Sequence, residues 1–253
     1  MWLSCFVTFA QDARNLTPVQ LEIQKQQQRL GSSDVEERRD AVMRLGTMHL
    51  AAASRATLPA LQDEAAIVRA TAAKSILSIG GEESVPHLLP LLNDKDEFVR
   101  RETAYALGLT RSRSATAALS ELLLNDKEDG VRGAAAVALG QIGDEAGVIA
   151  LVGTLAPELS APVKKKPKRE PNVFVLRAAA VALGQIKSRA GTAALVSSLN
   201  NEKLHSDVRR EAARSLGLIG DPAAEPALRA ASTAADPYLS RLAHEALIKL
   251  SRG

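Results

Sequence analysis

AAAVALGQI fills residues 134–142 and returns unchanged at residues 178–186, preceded by VRG at 131–133 and by VLR at 175–177. Aligning the Leu of this string along the chain puts Leu45, Ile76, Leu107, Leu139, Leu183, Leu216 and Leu247 in one equivalent position, with spacings of 31, 31, 32, 44, 33 and 31 residues. VRRETAYALG at 99–108 and VRREAARSLG at 208–217 are further copies, and IVRATAAKSIL at 67–77 is a weaker one. A fixed period of this length marks a repeated supersecondary unit that buries its apolar face against its neighbours.

A second apolar pattern lies between the beats: SVPHLLPLL at 84–92, ATAALSELLL at 115–124, AGVIALVGTL at 146–155, GTAALVSSL at 191–199 and AEPALRAA at 224–231. Each unit reads as helix, short Asp-rich turn, helix, then a Gly-marked turn such as IGDEA or IGDPA. Gly143 and Gly220 suit the left-handed residue that ends a helix, and Asp144 and Asp221 suit the cap of the next one. Ala and Leu dominate and aromatic residues are only 3%, which favours helix over sheet. The expected fold is all-α, a right-handed α-solenoid of about seven helical hairpins stacked as an α–α superhelix.

The pattern L-x-x-L-L-x-D-x-x-x-x-V-R-x-x-A-A-x-A-L-G-x-I-G resembles HEAT repeats, and among them the phycobilisome-lyase-like subgroup. The resemblance covers residues 17–252 as a single repeat solenoid. It is strongest in units three to six and weakest at the ends, where Glu37 stands for the Val and Leu239-Ser240 stand for Val-Arg. Worn terminal copies are expected where an outer face meets water.

Val131, Ala135, Leu139 and Ile142 recur at helical spacing and form one buried stripe of the second helix. The arginines at 69, 100, 132 and 209 follow turns holding Asp63, Asp94, Asp126 and Asp207, a pattern suited to charged hydrogen bonds between stacked units. The opposite stripe then carries Phe98, Arg101, Glu102, Tyr105 and Leu109 in unit three. It carries Gly130, Gly133, Ala134, Val137 and Gln141 in unit four, and Phe174, Arg177, Ala178, Val181 and Gln185 in unit five. Unit six contributes Asp207, Arg210, Glu211, Arg214 and Leu218, and unit seven Tyr238, Arg241, Leu242, Glu245 and Lys249. Every aromatic residue beyond the first dozen positions lies on this stripe.

The resemblance implies that the second helix lines the concave side, where such proteins commonly bind partners. Phe98, Arg101, Tyr105, Val137, Phe174, Arg177, Val181, Arg210 and Tyr238 are therefore the expected contacts to a protein or peptide, since Tyr, Phe and Arg dominate binding hot spots. The competing reading is that the rings pad the helix N-termini against the preceding turn.

The spacing of 44 adds about a dozen residues to the 31-residue rhythm, and the surplus falls in APELSAPVKKKPKREPN at 156–172. Four prolines and a charge run exclude regular helix there and point to an exposed loop. Lys164, Lys165, Lys166, Lys168 and Arg169 against Glu158 and Glu170 give +3, which equals the formal net charge of the whole chain. The rest is neutral, so the solenoid carries no nucleic-acid-binding charge of its own. The loop reads as a solvated spacer, with contact to an acidic partner second and a nuclear-import address last.

Residues 1–16 hold the apolar stretch Trp2, Leu3, Phe6, Val7 and Phe9, and Thr8-Phe9-Ala10 is similar to a signal-peptidase site. This segment reads either as a truncated export signal, with a periplasmic or secreted protein following, or as an apolar flap on the first helix of a cytoplasmic one. No run is long enough for a transmembrane span. A monomer is expected.

The inventory of reactive groups is thin. Cys5 is the single cysteine, and His49, His87, His205 and His244 are scattered without metal-ligand spacing, so no catalytic residue, metal or cofactor is expected. Deoxyhypusine hydroxylase, a relative by repeat type, pairs His with Glu in both halves, whereas this chain offers only His244-Glu245. The resemblance to phycobilin lyases leaves a chromophore-handling role open, and a DNA glycosylase of HEAT-like build is disfavoured by the neutral groove. The leading expectation is a non-catalytic protein- or peptide-binding scaffold.

Overall fold

The computed structural model describes residues 16–159 and 172–252. The export-signal reading of residues 1–16 lies outside them except for Leu16, and so does the whole basic run Lys164–Arg169. The described residues contain fourteen α-helices joined by short 3-10 turns, with no strand among them. The chain divides between His87 and Leu88 into two compact units.

The first unit holds α1 (Pro18–Arg29), α2 (Val35–Thr47), α3 (Ala51–Ala56) and α4 (Ala66–Ser75), with α5 (Gly81–Leu88) at its boundary. Thr17 opens α1 through a capping box with Gln20, and Asp34 caps α2 by accepting from the Glu36 amide. Ile23, Leu45, Ala53 and Ala56 form its core cluster, with Leu30 and Met48 packed against it. Pro59 lacks an amide hydrogen, and the segment around it runs as a 3-10 helix, Leu58–Gln62. Pro90 stands likewise in the 3-10 helix Leu89–Asn93.

The second unit continues with α6 (Glu97–Thr110), α7 (Thr116–Asn125), α8 (Asp129–Ile142), α9 (Val148–Leu155), α10 (Val173–Ile186), α11 (Thr192–Asn200), α12 (Ser206–Ile219), α13 (Glu225–Ala231) and α14 (Pro237–Leu250). The second helices α6, α8, α10, α12 and α14 pack each on the next, and the first helices α7, α9, α11 and α13 do the same in a parallel layer. This is an all-α solenoid. Its core lies between the layers, where Leu107, Leu139, Leu183 and Leu216 meet Leu119, Leu123, Leu151, Leu195 and Leu199, all essentially inaccessible.

Glycine after the repeated Leu sets how closely second helices approach. A β-carbon on Gly108 would lie 2.8 Å from Cα of Ala138, one on Gly140 2.9 Å from Cα of Ala182, and one on Gly217 2.8 Å from Cα of Ala246. The same place is Leu77 in the second hairpin and Ile248 in the last, which is exposed.

Two polar ladders join successive hairpins. Thr116 donates to Asp144 of the next hairpin at 2.8 Å, and Thr192 donates to Asp221 at 2.8 Å. On the other end of the helices, Arg100 donates to both carboxylate oxygens of Asp126 at 2.7 and 3.0 Å, while its third nitrogen meets the Asp94 carbonyl at 2.9 Å. With side chains only 8% and 6% exposed, loss of either partner strands a buried charge, at a cost of about 3–5 kcal/mol. Arg38 makes the same bidentate pair with Asp63 at 2.7 and 2.9 Å in the first unit.

The sequence pairing of arginines with turn carboxylates therefore holds in a different register. Arg38 and Arg100 each hold a carbonyl of their own turn and reach forward to the acid of the next one, and Arg69 holds the Asp63 and Glu64 carbonyls of its own turn. The pairing fails at two of the four expected positions. Arg132 turns to Asp129 on its own helix, and its buried Nε has no hydrogen-bond partner. Arg209 donates to the Leu199 carbonyl, and its neighbour Arg210 takes the carboxylate, Asp236, at 2.9 and 3.1 Å.

The helix stops are also broader than glycine. Gly143 and Gly220 adopt positive φ as expected, but Arg111 and Lys187 hold the same left-handed position at φ 54° and 60°. Asp144 and Asp221 cap the following 3-10 turns, and Ser112 and Ser188 do so in the other hairpins.

Candidate functional site

Positions on α8 show how far the exposed stripe extends. Val131, Ala135, Leu139 and Ile142 are buried as the periodicity requires, but Gly133 and Ala134, on the opposite stripe, are buried too. The neighbouring second helices cover both flanks of α8, so only Val137 and Gln141 of that stripe, with Gly130 at its start, retain access to solvent.

The four rings are neither sealed nor free. Phe98 and Tyr105 are half-buried on α6, Phe174 is 45% exposed on α10, and Tyr238 is 59% exposed on α14. The Phe174 ring lies over the backbone of Gly133, in space that a β-carbon there would fill. The guanidinium of Arg101 stacks over Phe98 at 5.1 Å, and that of Arg210 over Tyr238 at 5.1 Å. Part of the surface of Phe98, Phe174 and Tyr238 is thus used against an arginine or the neighbouring second helix, and part remains open.

Contacts run along the row in sequence. Arg101 reaches toward Gly130, Gly133 receives Phe174, and Arg177, Arg210 and Tyr238 line one groove of about 330 Å³. Val137 and Val181 sit farther along their helices and are half-buried. The groove also takes in Asp207, Glu211, Arg241 and Leu242. Of the groove residues, the sequence-based contact set names only Arg177, Arg210 and Tyr238. Arg241 follows Tyr238 by three residues on the same helix face, so the signal that finds it is the helical period itself.

Charge in the groove is arranged asymmetrically. Arg210 is tied to Asp236 and, at 3.1 Å, to Asp207. Hydrogen bonds from Arg210, helped by the backbone amides of Leu239 and Tyr238, hold the Asp236 carboxyl below its usual range. Arg214 lies 3.5 Å from Glu211, and Arg241 3.6 Å from Glu245. Arg177 is exposed and has no hydrogen-bond or ion-pair partner among the described residues. No three His, Cys, Asp or Glu among the described residues gather where a metal ion could be held, and no described helix is long and apolar enough to cross a membrane.

A family model described as HEAT repeats matches residues 23–108, 88–166 and 167–249. The chain belongs to the HEAT-repeat family. Among solved structures, this HEAT-repeat chain is similar to the complex of CpcE and CpcF of phycocyanin lyase from Nostoc sp. PCC7120, at 26% identity and TM-score 0.54, over 94% of this chain and 92% of that one. That likeness agrees with the subgroup the repeat motif resembles. It is also similar to the Escherichia coli protein YibA, at 21% identity and TM-score 0.61, over 92% and 82% of the two chains. An engineered protein aligns at 23% identity and TM-score 0.56, over 91% and 68%. The latter two show the fold alone. No curated protein matches the chain.

Proposed function

We propose that this HEAT-repeat protein is a non-catalytic scaffold that docks a protein or peptide on the face of its second helices. The observation that carries the reading is the row of half-open rings. Phe174 is seated on Gly133 yet remains nearly half exposed, and Phe98 and Tyr238 are each flanked by a stacked arginine. Full burial of a ring from water contributes roughly 1.5–3 kcal/mol, and completing the burial of these half-open rings on a partner contributes the remaining part of that. Phe98, Arg101, Tyr105, Val137, Phe174, Arg177, Val181, Arg210 and Tyr238 form the contact set, with Arg210 acting mainly as the support that holds Tyr238 and Asp236 in place.

Replacing Phe98, Tyr105 and Phe174 together by Ser is expected to abolish capture of the partner in affinity purification from the native extract. Helix content by circular dichroism should be unchanged, and the melting temperature close to that of the unaltered protein. Unfolding of the triple variant, or capture that survives it, overturns the reading.

A second reading draws on the likeness to a phycocyanin lyase complex: the same face handles a bilin chromophore. Adding free bilin and following its absorbance separates the two, because a red-shifted, chain-bound pigment supports chromophore handling and an unchanged spectrum supports the scaffold.

A further inference from the structure

Arg177 is exposed on α10 and has no hydrogen-bond or ion-pair partner among the described residues, although Asp207 and Glu211 line the same groove. Asp207 is engaged by Arg210, while Glu211 lies 3.5 Å from Arg214 with its buried Oε2 making no hydrogen bond, and Glu245 on α14 lies 3.6 Å from Arg241. Glu211 and Glu245 are the less exposed members of their pairs, with side chains 23% against 57% exposed for Glu211 and Arg214, and 50% against 65% for Glu245 and Arg241, whereas Asp207 at 42% is more exposed than Arg210 at 30%. Arg177 and Arg241 thus stand exposed on the groove beside the partly exposed acid Asp207, although the chain outside the basic loop is neutral.

Beside these arginines the Tyr238 ring stands 59% exposed and Leu242 half-buried, so the groove joins positive charge to apolar surface. Its volume of about 330 Å³ lies at the small end of ligand sites, which run to about 1,000 Å³. That is room for one or two side chains of a larger partner.

We infer that the groove between Arg177, Tyr238 and Arg241 takes an acidic peptide segment, its carboxylates paired with the two arginines and an adjacent apolar or aromatic side chain laid on the Tyr238 ring. The inference rests on the docking reading above and narrows it to one chemistry. A nucleic acid fits less well, because phosphate recognition draws on many cations along a strand and among the described residues this groove presents only two exposed arginines, Arg177 and Arg241.

The test is an anisotropy titration of the full chain with three fluorescein-labelled probes: a peptide rich in Asp, Glu, Leu and Phe, the same peptide with Lys at every acid, and a single-stranded oligothymidylate. The acidic peptide is expected to bind tightest. Arg177→Glu combined with Arg241→Glu should weaken it at least about tenfold, and Lys164→Glu, Lys165→Glu and Lys166→Glu combined should leave it within about twofold. Both arginines are exposed and neither supports the core, so the melting curve of the double variant should superimpose on that of the unaltered chain.

Tighter binding of the Lys peptide or of the oligonucleotide overturns the acidic-peptide inference, as does binding lost in the loop variant but kept in the groove variant. If the Lys peptide binds and the triple-ring variant removes that binding, the docking reading stands and only the chemistry falls. If no peptide binds, or if binding survives both the triple-ring variant and the Arg177→Glu, Arg241→Glu variant, both fall.

Discussion

The ring of Phe174 occupies the space that a side chain at Gly133 would need: a β-carbon there would lie 1.9 Å from Cε1 and 2.5 Å from Cδ1 of the ring. One hairpin thus supplies a missing side chain and the next supplies the ring that fills the place. The opposing atoms are the far end of a rotatable and partly exposed side chain, so the contact positions the ring more than it supports the core.

Gly133→Ala is therefore expected to displace the ring into solvent without unfolding the protein. With Trp2 replaced by Phe, a Phe174→Trp reporter should emit further to the red once Gly133→Ala is added, while the melting temperature changes little. A large loss of stability, or an emission maximum that does not move, would show that the ring is held by something other than this contact.

Glycines and non-glycines at two repeated positions should respond with opposite signs. Gly140→Ala places a β-carbon 2.9 Å from Cα of Ala182, a backbone atom that cannot rotate away. It should cost about 1–3 kcal/mol, more than the gain in helix propensity of up to about 1 kcal/mol. Lys187→Gly relieves a left-handed residue at φ 60° and should stabilise by about 1 kcal/mol. Urea unfolding of the two variants reads both values, and a stabilised Gly140→Ala would mean that the second helices separate easily.

Acid should weaken the fold through the forward-reaching ion pairs. Asp63 is held below its usual range chiefly by its hydrogen bonds from Arg38, and Asp236 by those from Arg210. An unfolded Asp titrates near about pH 3.9, so the stability these depressed carboxyls contribute is present in full above that value. It is lost as pH falls through their lower folded values. The urea midpoint is expected to fall between pH 6 and pH 3. Asp63→Asn should lower the midpoint at pH 6 and flatten its decline toward pH 3, and a decline as steep as that of the unaltered chain would assign the acid sensitivity to other groups.

Much of the architecture is legible in one repeated string. Helices, hairpin order and the buried Leu of every unit follow from a 31-residue rhythm and a 3.6-residue period, because both depend on short-range geometry. Of the aligned positions from Leu45 to Leu247, all but the last are fully buried, and Leu247 is half-buried on α14. Interruption of the rhythm likewise marks where α9 ends and α10 begins, on either side of the basic stretch.

What lies between helices needed the fold itself. Periodicity assigns one face of α8 to solvent, yet Gly133 and Ala134 on that face are covered, since helical spacing says nothing of how near a neighbour approaches. The partner of each repeated arginine was similarly out of reach. Arg38 and Arg100 take acids 25 and 26 residues ahead, Arg132 takes one on its own helix, and Arg210 replaces Arg209 in the last step. A sequence fixes which groups each turn carries, and only the stacking of one hairpin on the next brings a guanidinium within hydrogen-bond distance of one carboxylate and leaves that of Arg177 facing water.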